Sequence, residues 1–395
     1  MKLLITTFTY APQANGVAVC ATEQAEGLAR RGHEVLVATG GDPARGLPAG
    51  TNPRIEPFEV RQGRDVDQAE GPDQERFRQF IRDFRGDAIL CHCWQCWPTQ
   101  LALEAFPGQP AKKVMVSHGF GAHLWQPHPK PWWGLGQWLR GRRYVRRLPA
   151  MLRAFDHLLF LSAQVDRQRF YDHWVRARSG GPPWSAIPNG TWPAPGGGEG
   201  PAFRARHGLG AACLFLCVGN YAAAKNQAGA LRAFLAADLE AAALVFIGGT
   251  LDDYARQCQA LAAAHQRAGA KGRVLFLDQQ SRADIRAAYD ACDVVVLASK
   301  GETQPLALLD AMACGKPFVS TEVGCVREFP GGLVVRSERE LGEQLRRLRL
   351  DPALRQALGQ RGAAACRTVY HWDRVLDAQE ALLQRLVAGS PGTSG

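Results

Sequence analysis

Two acidic residues stand in a segment that is otherwise almost entirely apolar, KGETQPLALLDAMACGKP (residues 300–317). Pro305 is typical of the first turn of a helix, where its missing N–H costs nothing, so a helix is predicted to begin there. The free N–H groups and positive dipole end of that helix suit a phosphate, and Glu302, just before them, can accept hydrogen bonds from hydroxyls. Asp310 is predicted to lie about 7–8 Å along the helix from its start. Its carboxylate can accept hydrogen bonds from the two adjacent hydroxyls of a ribose. The layout suits a nucleotide-sugar, although two acids at this spacing are most often ordinary surface or cap residues.

The elements around this segment are predicted to alternate between strands and helices. Residues 16–33 have the periodicity of a helix that stops at Gly32, between two β-rich runs. Such alternation predicts parallel sheets covered by helices on both faces. The pattern stops at IPNGTWPAPGGGEG (187–200), whose prolines and glycines predict a linker, and then resumes. The chain is therefore predicted to form two doubly wound α/β domains, followed by a tail at 389–395 that is expected to be mobile.

Ligands of open parallel sheets bind outside the carboxyl ends of the strands. Gly16 opens a helix after the first predicted strand, and His118 ends a later one. Lys225 lies five residues beyond Asn220, and Glu302 also follows a strand. These polar residues are expected to face one shared cleft if the two domains oppose each other. The predicted strands are 2–8, 34–40, 87–93, 112–119, 157–162, 213–220, 243–250, 273–278, 292–299 and 316–321.

Several of these segments resemble one known family. ETQPLALLDAMACGKP resembles the Glu-x-seven-Glu segment of the retaining glycosyltransferases of family 4, which have the GT-B fold. VGNYAAAKNQAGALRAF (218–234) resembles the family segment that places a lysine against the donor diphosphate. GVAVCATEQAEGLARRGHEVLVATG resembles the family's first helix and second strand. DAILCHCW, IPNG, DIRAAYDACDVVVLAS and HWDRVLDAQEALLQRL resemble further family segments, so the resemblance covers nearly the whole chain in order.

The resemblance implies a GT-B architecture of two Rossmann-like domains facing a cleft. It implies an N-terminal acceptor-side domain at 1–188, a linker at 189–200 and a nucleotide-sugar-binding domain at 201–370. A helix at 371–388 is expected to pack back on the first domain, before the tail at 389–395.

The resemblance also implies roles for individual residues. Lys225 and the N–H groups after Glu302 are expected to hold the donor diphosphate, Glu302 to orient the transferred sugar, and His118 to hydrogen-bond it. Gly16 would let the backbone approach a phosphate, because it has no Cβ. Retention is expected, with a leaving phosphate oxygen helping to deprotonate the acceptor, and neither a metal nor another cofactor is implied. The catalytic set is thus His118, Lys225 and Glu302, and the donor-binding set is Gly16, Asn220, Lys225, Glu302, Thr303, Gln304, Pro305, Leu306 and Asp310.

Three features depart from the family pattern. Members usually carry an arginine where this chain has Asn220, so one of two cations for the diphosphate is missing. The second acid is Asp310 rather than glutamate, so the ribose must lie closer or a water must bridge. The glycine-aromatic-glycine usual after the first acid is replaced by residues 303–305, whose side chains could contact the sugar.

The segment CHCWQC (91–96) contains four potential zinc ligands. In a strand, however, Cys91 and Cys93 point to the opposite face from His92. No second Cys/His pair stands nearby at the spacing of a zinc finger. The favoured interpretation is that His92 lines the cleft and the cysteines are small core residues.

The stretch 123–153 is basic and rich in tryptophan. From Ala105 to Phe155 there is no Asp or Glu. Trp and Arg at helical spacing fit a helix lying on an anionic membrane surface. The alternatives are another anionic acceptor, a solvated basic face over buried tryptophans, or a nucleic-acid patch, and no nucleic acid is expected. The residues expected to contact an acceptor or membrane are His92, Trp132, Trp133, Trp138, Arg142, Arg143 and Arg146.

Composition narrows the class of protein. The 395 residues are 46% hydrophobic and 21% charged, as in ordinary globular proteins, and the net charge of +10 suggests an anionic partner. The start of the chain lacks the pattern of a secretory signal, no apolar run approaches membrane-spanning length, and eleven cysteines without framework spacing fit reduced thiols. Together with these observations, the family resemblance implies a cytoplasmic enzyme, either free or peripheral on the inner face of the plasma membrane. It is expected to transfer a sugar from a nucleotide-sugar to a saccharide or lipid-linked acceptor in cell-surface glycan synthesis. The alternatives are another GT-B enzyme, such as an epimerase or phosphorylase, or a degenerate GT-B binding or scaffold protein.

Overall fold

The computed structural model describes residues 1–13, 15–42, 51–121, 135–193 and 198–389. The chain divides into two compact units. The first comprises Met1–Asn189 together with Trp372–Gly395, and the second comprises Gly190–His371. The predicted linker therefore spans the first boundary, although its residues 194–197 lie outside the described residues, as do 390–395 of the predicted tail.

The first unit alternates strands and helices. Up to the boundary it contains β1 (Lys2–Thr6), α1 (Gly16–Arg30), β2 (Glu34–Gly40), β3 (Arg54–Phe58), β4 (Arg61–Gln62), β5 (Ala69–Glu70), α2 (Gln74–Asp83), β6 (Ala88–His92), α3 (Trp97–Ala105), β7 (Lys112–Val116), α4 (Leu135–Arg153), β8 (His157–Phe160), α5 (Tyr171–Ser179) and β9 (Trp184–Ala186). Its described strands form a parallel sheet in the order β3-β2-β1-β6-β7-β8-β9, and β4 and β5 pair as a separate antiparallel hairpin.

The second unit repeats the same design. It contains α6 (Gly200–Arg206), β10 (Cys213–Val218), α7 (Gln227–Ala236), β11 (Ala242–Gly248), α8 (Asp253–Arg267), β12 (Arg273–Asp278), α9 (Arg282–Ala291), β13 (Val294–Leu297), α10 (Leu306–Ala313), β14 (Phe318–Thr321), β15 (Gly332–Val335), α11 (Glu338–Leu350) and α12 (Pro352–Thr368). Its described strands form a parallel sheet in the order β12-β11-β10-β13-β14-β15. The prediction of two doubly wound parallel sheets is confirmed.

The central strands of both sheets are buried. Leu3, Leu4 and Ile5 of β1 are inaccessible to solvent, and so are the apolar residues 214–216 of β10. Continuous apolar runs of this kind are typical of parallel strands that are covered on both faces. The eleven cysteines carry no disulfide bond, and all but Cys93 and Cys314 are buried.

The final helix, α13 (Trp372–Val387), belongs to the first unit and packs on α1. Arg31, just beyond α1, donates to the carboxylates of Asp377 (2.7 Å) and Glu380 (3.0 Å). The Gly27 backbone approaches the buried Leu376 so closely that a Cβ at position 27 would overlap the leucine side chain. Polar contacts at one end and close packing in the middle therefore hold α13 against α1.

Helix α1 begins at a cap that the sequence supplies. The Asn15 side chain accepts a hydrogen bond from the Ala18 N–H at 3.0 Å, which satisfies a donor that the first turn leaves free. The helix ends at Arg30, shortly before Gly32, whose φ of +86° favours glycine. It is thus shorter than the predicted 16–33, because the predicted span included the turn that ends it.

Candidate functional site

Each sheet has one point where the strand order reverses. In the second unit the chain starts at β10, adds β11 and β12 on one side, and then continues with β13 on the other. In the first unit the corresponding neighbours are β1 and β6. The loops that leave such neighbouring strands run apart, which opens a crevice where ligands of doubly wound sheets bind. Both candidate clusters described below lie at these reversals.

The reversal in the second unit brings together Lys225 and Glu302. Lys225 lies in the loop between β10 and α7, and Glu302 in the loop between β13 and α10. The lysine Nζ lies 2.6 Å from Oε1 of Glu302, and the Ser299 hydroxyl donates to the same oxygen at 2.8 Å. The lysine side chain is 35% exposed and the glutamate 12%, so the ammonium retains contact with solvent while the carboxylate is largely enclosed.

Hydrogen bonds tie these two loops to each other. The Lys300 N–H donates to the Ala224 carbonyl at 2.8 Å, and the Asn226 side chain donates to the Ala298 carbonyl at 3.1 Å. The Thr321 hydroxyl, at the end of β14, donates to the Ser299 carbonyl at 2.6 Å. The position of the Lys225–Glu302 pair is therefore fixed by three neighbouring strand ends.

Gly324 packs closely against the backbone of the Glu302 loop. Gly324 has φ +46°, and a Cβ there would overlap the carbonyl oxygen of Thr303. That carbonyl accepts a hydrogen bond from the Cys325 N–H at 3.0 Å. The close approach of the two backbones thus requires glycine at position 324.

Helix α10 begins directly after this loop. Pro305 is its N-cap rather than a residue of its first turn, because the helix starts one residue later than the sequence predicts, at Leu306. Gln304 and Pro305 are buried, and Thr303 and Leu306 are partly exposed. The backbone at the start of α10 follows the Glu302 loop, as the sequence predicts.

Asp310 lies one turn into α10 and accepts a hydrogen bond from the Thr191 hydroxyl at 3.0 Å. Thr191 follows the unit boundary, and its N–H donates to the Tyr370 carbonyl at 2.7 Å, so Asp310 is tied to both segments where the chain crosses. Desolvation by surrounding protein raises the pKa of Asp310 to about 6, although the side chain remains accessible to solvent. Because solvent reaches the carboxyl, this shift in pKa contributes little to the stability of the folded protein.

Asn220 occupies an exposed position at the end of β10. Its carbonyl oxygen accepts a hydrogen bond from the buried Gln227 side chain at 3.0 Å. The side chain lies close to Gly249 in the loop after β11, since a Cβ at position 249 would come within 3.2 Å of its Oδ1. An amide at this position is polar but adds no cation beside Lys225.

The reversal in the first unit holds two histidines. His92 ends β6, and His118 follows β7. Nδ1 of His92 lies 2.9 Å from Nε2 of His118, and the two rings stack with their centroids 5.1 Å apart. Burial, and then the neighbouring His118, hold the pKa of His92 well below its ordinary value, and burial lowers the pKa of His118 to about 4. Both rings are therefore neutral at pH 7.

Two glutamines extend this pair. Nε2 of His92 lies 2.7 Å from Oε1 of Gln24, a residue of α1. The Gln24 amide in turn donates to Oε1 of Gln379, on α13, at 2.9 Å. Gln24 is 1% exposed and Gln379 is 7% exposed, so both amides are buried. The histidines are thus connected to the last helix of the unit.

The backbone next to His118 has a separate support. Ser117 donates from its hydroxyl to the buried carboxylate of Asp172, which also accepts from the Trp94 indole N–H at 2.8 Å. The Ser117 oxygen accepts in turn from the Gly119 N–H at 3.2 Å. Asp172 thereby fixes the residues on both sides of His118.

Gly16 is the first residue of α1 and is exposed, beyond the end of β1. The capping residue before it, Asn15, donates from its amide to the Thr9 hydroxyl at 2.8 Å, which ties the start of the helix to the loop after β1. Gly16 therefore presents exposed backbone at the same reversal as the two histidines.

The cysteines of CHCWQC are packed and hydrogen-bonded. Cys96 donates from its thiol to the His92 carbonyl at 3.2 Å, and burial raises its pKa to about 11. Burial likewise raises the pKa of Cys91 to about 12. Within the part of the chain that the structure describes, no three His, Cys, Asp or Glu side chains are grouped to hold a metal ion.

The basic helix α4 has one buried and one exposed face. Tyr144 and Leu148 are buried, whereas Arg142, Arg143 and Arg146 are exposed. Two further arginines are paired: Arg140 with Asp65 (2.8 Å) and Arg147 with Asp67 (3.3 Å). Trp132 and Trp133 lie outside the described residues, as does the side chain of Trp138. No helix in the described ranges combines the length and apolar character needed to cross a bilayer.

The sequence did not predict the residues whose hydrogen bonds position the predicted site residues. Ser299 and Thr191 are ordinary polar residues in loops, and nothing in their local sequence separates them from surface residues. Gln24 carries a weak signal, because an amide stands between Ala21, Ala25 and Leu28 on the buried face of α1. Gln379 lies on the buried side of another amphipathic helix, and its partner is 355 residues away.

Comparison with known proteins agrees with this architecture. A family model described as Glycosyltransferase Family 4 matches residues 14–191, and one described as Glycosyl transferases group 1 matches residues 212–351. Sucrose-phosphate synthase from Thermosynechococcus elongatus superposes with a TM-score of 0.77 at 19% identity, covering 98% of this chain and all of that one. Anabaena HepE in complex with UDP-glucose superposes with a TM-score of 0.74 at 18% identity, covering 97% and 99%.

Curated relatives match over a shorter stretch. D-inositol 3-phosphate glycosyltransferase from Actinosynnema mirum is 30% identical over 141 residues, which are 34% of this chain and 34% of the relative. The same enzyme from Mycobacterium avium is 31% identical over 158 residues, 38% of this chain and 37% of the relative. The chain thus spans little more than a third of the length of these relatives. Together, the two family models and the solved structures show that the chain belongs to the family 4 glycosyltransferases and has the GT-B fold.

Proposed function

We propose that this glycosyltransferase moves a hexose from a nucleotide-sugar to a saccharide or lipid-linked acceptor, with retention of configuration and without a metal ion. The observation that carries the proposal is the Lys225–Glu302 pair at the strand-order reversal of the second unit. Similar solved structures support a nucleotide-sugar donor, since Anabaena HepE is known in complex with UDP and with UDP-glucose.

Lys225 is suited to hold the donor diphosphate. An ammonium has three donors, and Lys225 directs one at Glu302 while its side chain remains partly exposed. The other donors can meet phosphate oxygens and stabilise the charge that develops on the departing nucleotide. Similar enzymes usually have an arginine where this chain has the neutral Asn220. Lys225 is therefore the cation expected to meet the diphosphate here, and its loss should be severe.

Glu302 is suited to hold hydroxyls of the transferred sugar. One of its oxygens is already occupied by Lys225 and Ser299, which fixes the orientation of the carboxylate. A carboxylate retains further acceptor capacity for sugar hydroxyls. Asp310 would accept from the ribose hydroxyls, and Thr303, Gln304, Pro305 and Leu306 would contact the donor around the start of α10.

The reaction follows from these roles. The bond between the anomeric carbon and the phosphate oxygen breaks, and a bond from the acceptor oxygen forms on the same face of the sugar. The acceptor proton passes to the leaving phosphate oxygen. His118 hydrogen-bonds the transferred sugar, and Gly16 allows a phosphate to approach the backbone. Activity should persist in excess EDTA, and NMR of the product should show the anomeric configuration of the donor.

A melting-temperature screen with UDP, GDP, ADP and TDP tests the donor site. A ligand present at 100 times its Kd stabilises the folded protein by about 2.7 kcal/mol. One diphosphate should raise the melting temperature above the others, and Lys225→Ala should abolish that increase. Lys271→Ala is the matched control, because Lys271 is also paired with a glutamate, Glu240 at 2.5 Å, in the same unit. The absence of any diphosphate-dependent shift would contradict the proposal.

Turnover distinguishes this function from its alternatives. A glycosyltransferase releases the nucleoside diphosphate only as a new glycoside forms. An epimerase would return an altered nucleotide-sugar without an acceptor, and a phosphorylase would require inorganic phosphate. A scaffold protein would bind a nucleotide without converting it.

We also place the protein on the cytoplasmic face of a membrane, in polysaccharide or other cell-surface glycan synthesis, with α4 against anionic lipid. The exposed Arg142, Arg143 and Arg146 form one basic face over the buried residues of the helix. Anionic vesicles should co-sediment the protein at low salt and release it at high salt, whereas neutral vesicles should not bind it. Arg143→Glu/Arg146→Glu should lose binding, and Arg361→Glu/Arg367→Glu, the same charge change on exposed positions of α12, should retain it. Equal binding of neutral and anionic vesicles would exclude this role for α4.

A further inference from the structure

The Glu302 carboxylate is held at a single oxygen by two donors of different kinds. Its Oε1 accepts from the Lys225 ammonium at 2.6 Å and from the Ser299 hydroxyl at 2.8 Å. Across the residues that the structure describes, no protein donor meets its Oε2. The glutamate side chain is 12% exposed, so Oε2 is the oxygen that a ligand can reach with its full acceptor capacity.

The two donors respond differently to an anionic ligand. The Lys225 side chain is long, charged and 35% exposed, whereas Ser299 is 1% exposed. A bound phosphate attracts the ammonium and repels the carboxylate, so it weakens the contact between Lys225 and Glu302. It does not compete for the Ser299 hydroxyl, because that hydroxyl is neutral and enclosed by protein.

The backbone of Ser299 is held on both sides. Ser299 follows β13, and its carbonyl accepts from the Thr321 hydroxyl at 2.6 Å. Its two neighbours, 298 and 300, are hydrogen-bonded through their backbones to the loop that carries Lys225. A serine side chain has a single torsion between its backbone and its hydroxyl oxygen, so this hydroxyl has few alternative positions.

From this geometry we propose that Ser299 is the positioning residue that keeps Glu302 aligned on the transferred sugar when the donor diphosphate draws Lys225 away. In the unliganded protein, Lys225 and Ser299 share Oε1. In the complex the ammonium turns toward phosphate, and the serine hydroxyl retains the carboxylate. This inference rests on the proposed function, in which Lys225 contacts the diphosphate and Glu302 accepts from sugar hydroxyls.

A purely structural role for Ser299 makes a different prediction. The contact spans only three residues, as many hydrogen bonds that support loops do. Loss of a hydroxyl that only supports the loop would weaken binding of the diphosphate and of the nucleotide-sugar by the same factor. Loss of a hydroxyl that holds Glu302 for the sugar weakens only the ligand that carries the sugar. The ratio of the two dissociation constants therefore separates the two roles.

Isothermal titration calorimetry without an acceptor measures this ratio. The probes are the nucleoside diphosphate that the melting screen selects and the hexose derivative of it that the wild type binds most tightly. Ser299→Ala should change the Kd of the diphosphate less than about twofold and raise that of the nucleotide-hexose about tenfold or more, as for a lost hydrogen bond to a charged group. Ser299→Thr keeps the hydroxyl and should restore most of the affinity.

Ser320→Ala is the matched control. Ser320 is also a buried serine, in the neighbouring strand β14, but its hydroxyl donates to the Thr321 carbonyl at 2.9 Å rather than to Glu302. Its loss should leave both dissociation constants unchanged. If Ser299→Ala does not fold, Thr321→Val carries the same test, because it removes the hydroxyl that holds the Ser299 carbonyl. It should raise the Kd of the nucleotide-hexose alone.

A double-mutant cycle checks that Ser299 acts through Glu302. Ser299→Ala should weaken nucleotide-hexose binding less in the Glu302→Gln background than in the wild type, because the charged acceptor is already lost. Additive losses overturn the proposal, and so does an equal change, or no change, in the two dissociation constants of Ser299→Ala. If the wild type binds and converts a nucleotide-sugar while these results appear, the inference alone fails. If the wild type binds no nucleoside diphosphate, the proposed function fails and the inference falls with it.

Discussion

The two units place different chemistry at equivalent positions of similar sheets. In the second unit the strand-order reversal carries opposite charges, Lys225 and Glu302, and the lysine remains partly exposed. In the first unit the reversal carries neutral imidazoles and amides that are hydrogen-bonded to one another, and all of them except the partly exposed His118 are buried. The charged pair can exchange a protein partner for an anionic ligand, whereas the neutral groups offer only hydrogen bonds. In the proposed function, charge binds the donor and the neutral polar groups hydrogen-bond the sugar.

The largest expected effect comes from removing the charge. Lys225→Ala should lower kcat/KM by about 10²–10³, the range for a lost group that stabilises transition-state charge. Glu302→Gln should reduce it as well, because the amide lacks the negative charge that faces Lys225 and carries a donor in place of the second acceptor oxygen. Steady-state kinetics with Lys271→Ala as the control measures both effects. If folded Lys225→Ala protein retains the wild-type kcat/KM, then Lys225 does not bind the donor and the proposed role of the charged pair is wrong.

A smaller effect is expected from moving the Glu302 loop while leaving its charges in place. Gly324→Ala should lower both the melting temperature and kcat/KM, because its Cβ would overlap the Thr303 carbonyl oxygen. Gly315→Ala is a matched control, since Gly315 also has a positive φ, +66°, but has open space around its Cβ position. Both should lose about 1–2 kcal/mol of stability from the left-handed backbone, and the additional loss in Gly324→Ala measures the clash. Equal losses would show that the loop does not depend on this contact.

In the first unit, close packing between helices can be relieved by a second substitution. Gly27→Ala should lower the melting temperature, because its Cβ meets the buried Leu376 side chain. The double variant Gly27→Ala/Leu376→Ala should lose less stability than the two single losses combined, since the smaller side chain at position 376 makes room. Additive losses would indicate that α1 and α13 are not in contact there.

The smallest expected effect is the dependence of stability on pH, which arises from His118 in the first unit. Below pH 6.5 the unfolded chain binds protons on its histidines, while His118, with a pKa of about 4, does not, so this contribution to stability is lost as pH falls from about 6.5 to 4. His118→Gln should therefore flatten the decline in melting temperature between pH 6.5 and 4.5. An unchanged slope in folded His118→Gln protein would contradict this assignment.

Much of the fold could be predicted because parallel strands leave a strong signal. The buried runs of β1, β10 and β13 are continuously apolar and bounded by polar or glycine residues, so their existence is clear even where their ends are not. β3 contains Glu56 and Pro57 and begins with a charged residue, so nothing in its local sequence separates it from a loop. β9 is only three residues long and β15 begins with glycine, so their pairing is decided by tertiary contacts.

The candidate site divides in the same way. The positions of Lys225, Glu302 and His118 after strands could be predicted because they occur in recognisable segments, whereas their roles stay predictions. Their supports could not be, since Ser299, Gln24 and Gln379 act through contacts between distant parts of the chain. Three residues of the basic stretch, Trp132, Trp133 and Trp138, stay predictions, because two lie outside the described residues and the third has no described side chain.

Helix α13 has a consequence for the time course of biosynthesis. The first unit needs it for packing and for Gln379, yet the ribosome makes it only after the whole of the second unit. At about 5–20 residues per second, roughly 10–40 s separate the emergence of Asn189 from that of α13. During that interval the surface of α1 around Gly27, which Leu376 covers in the complete protein, stays exposed until translation supplies the last helix.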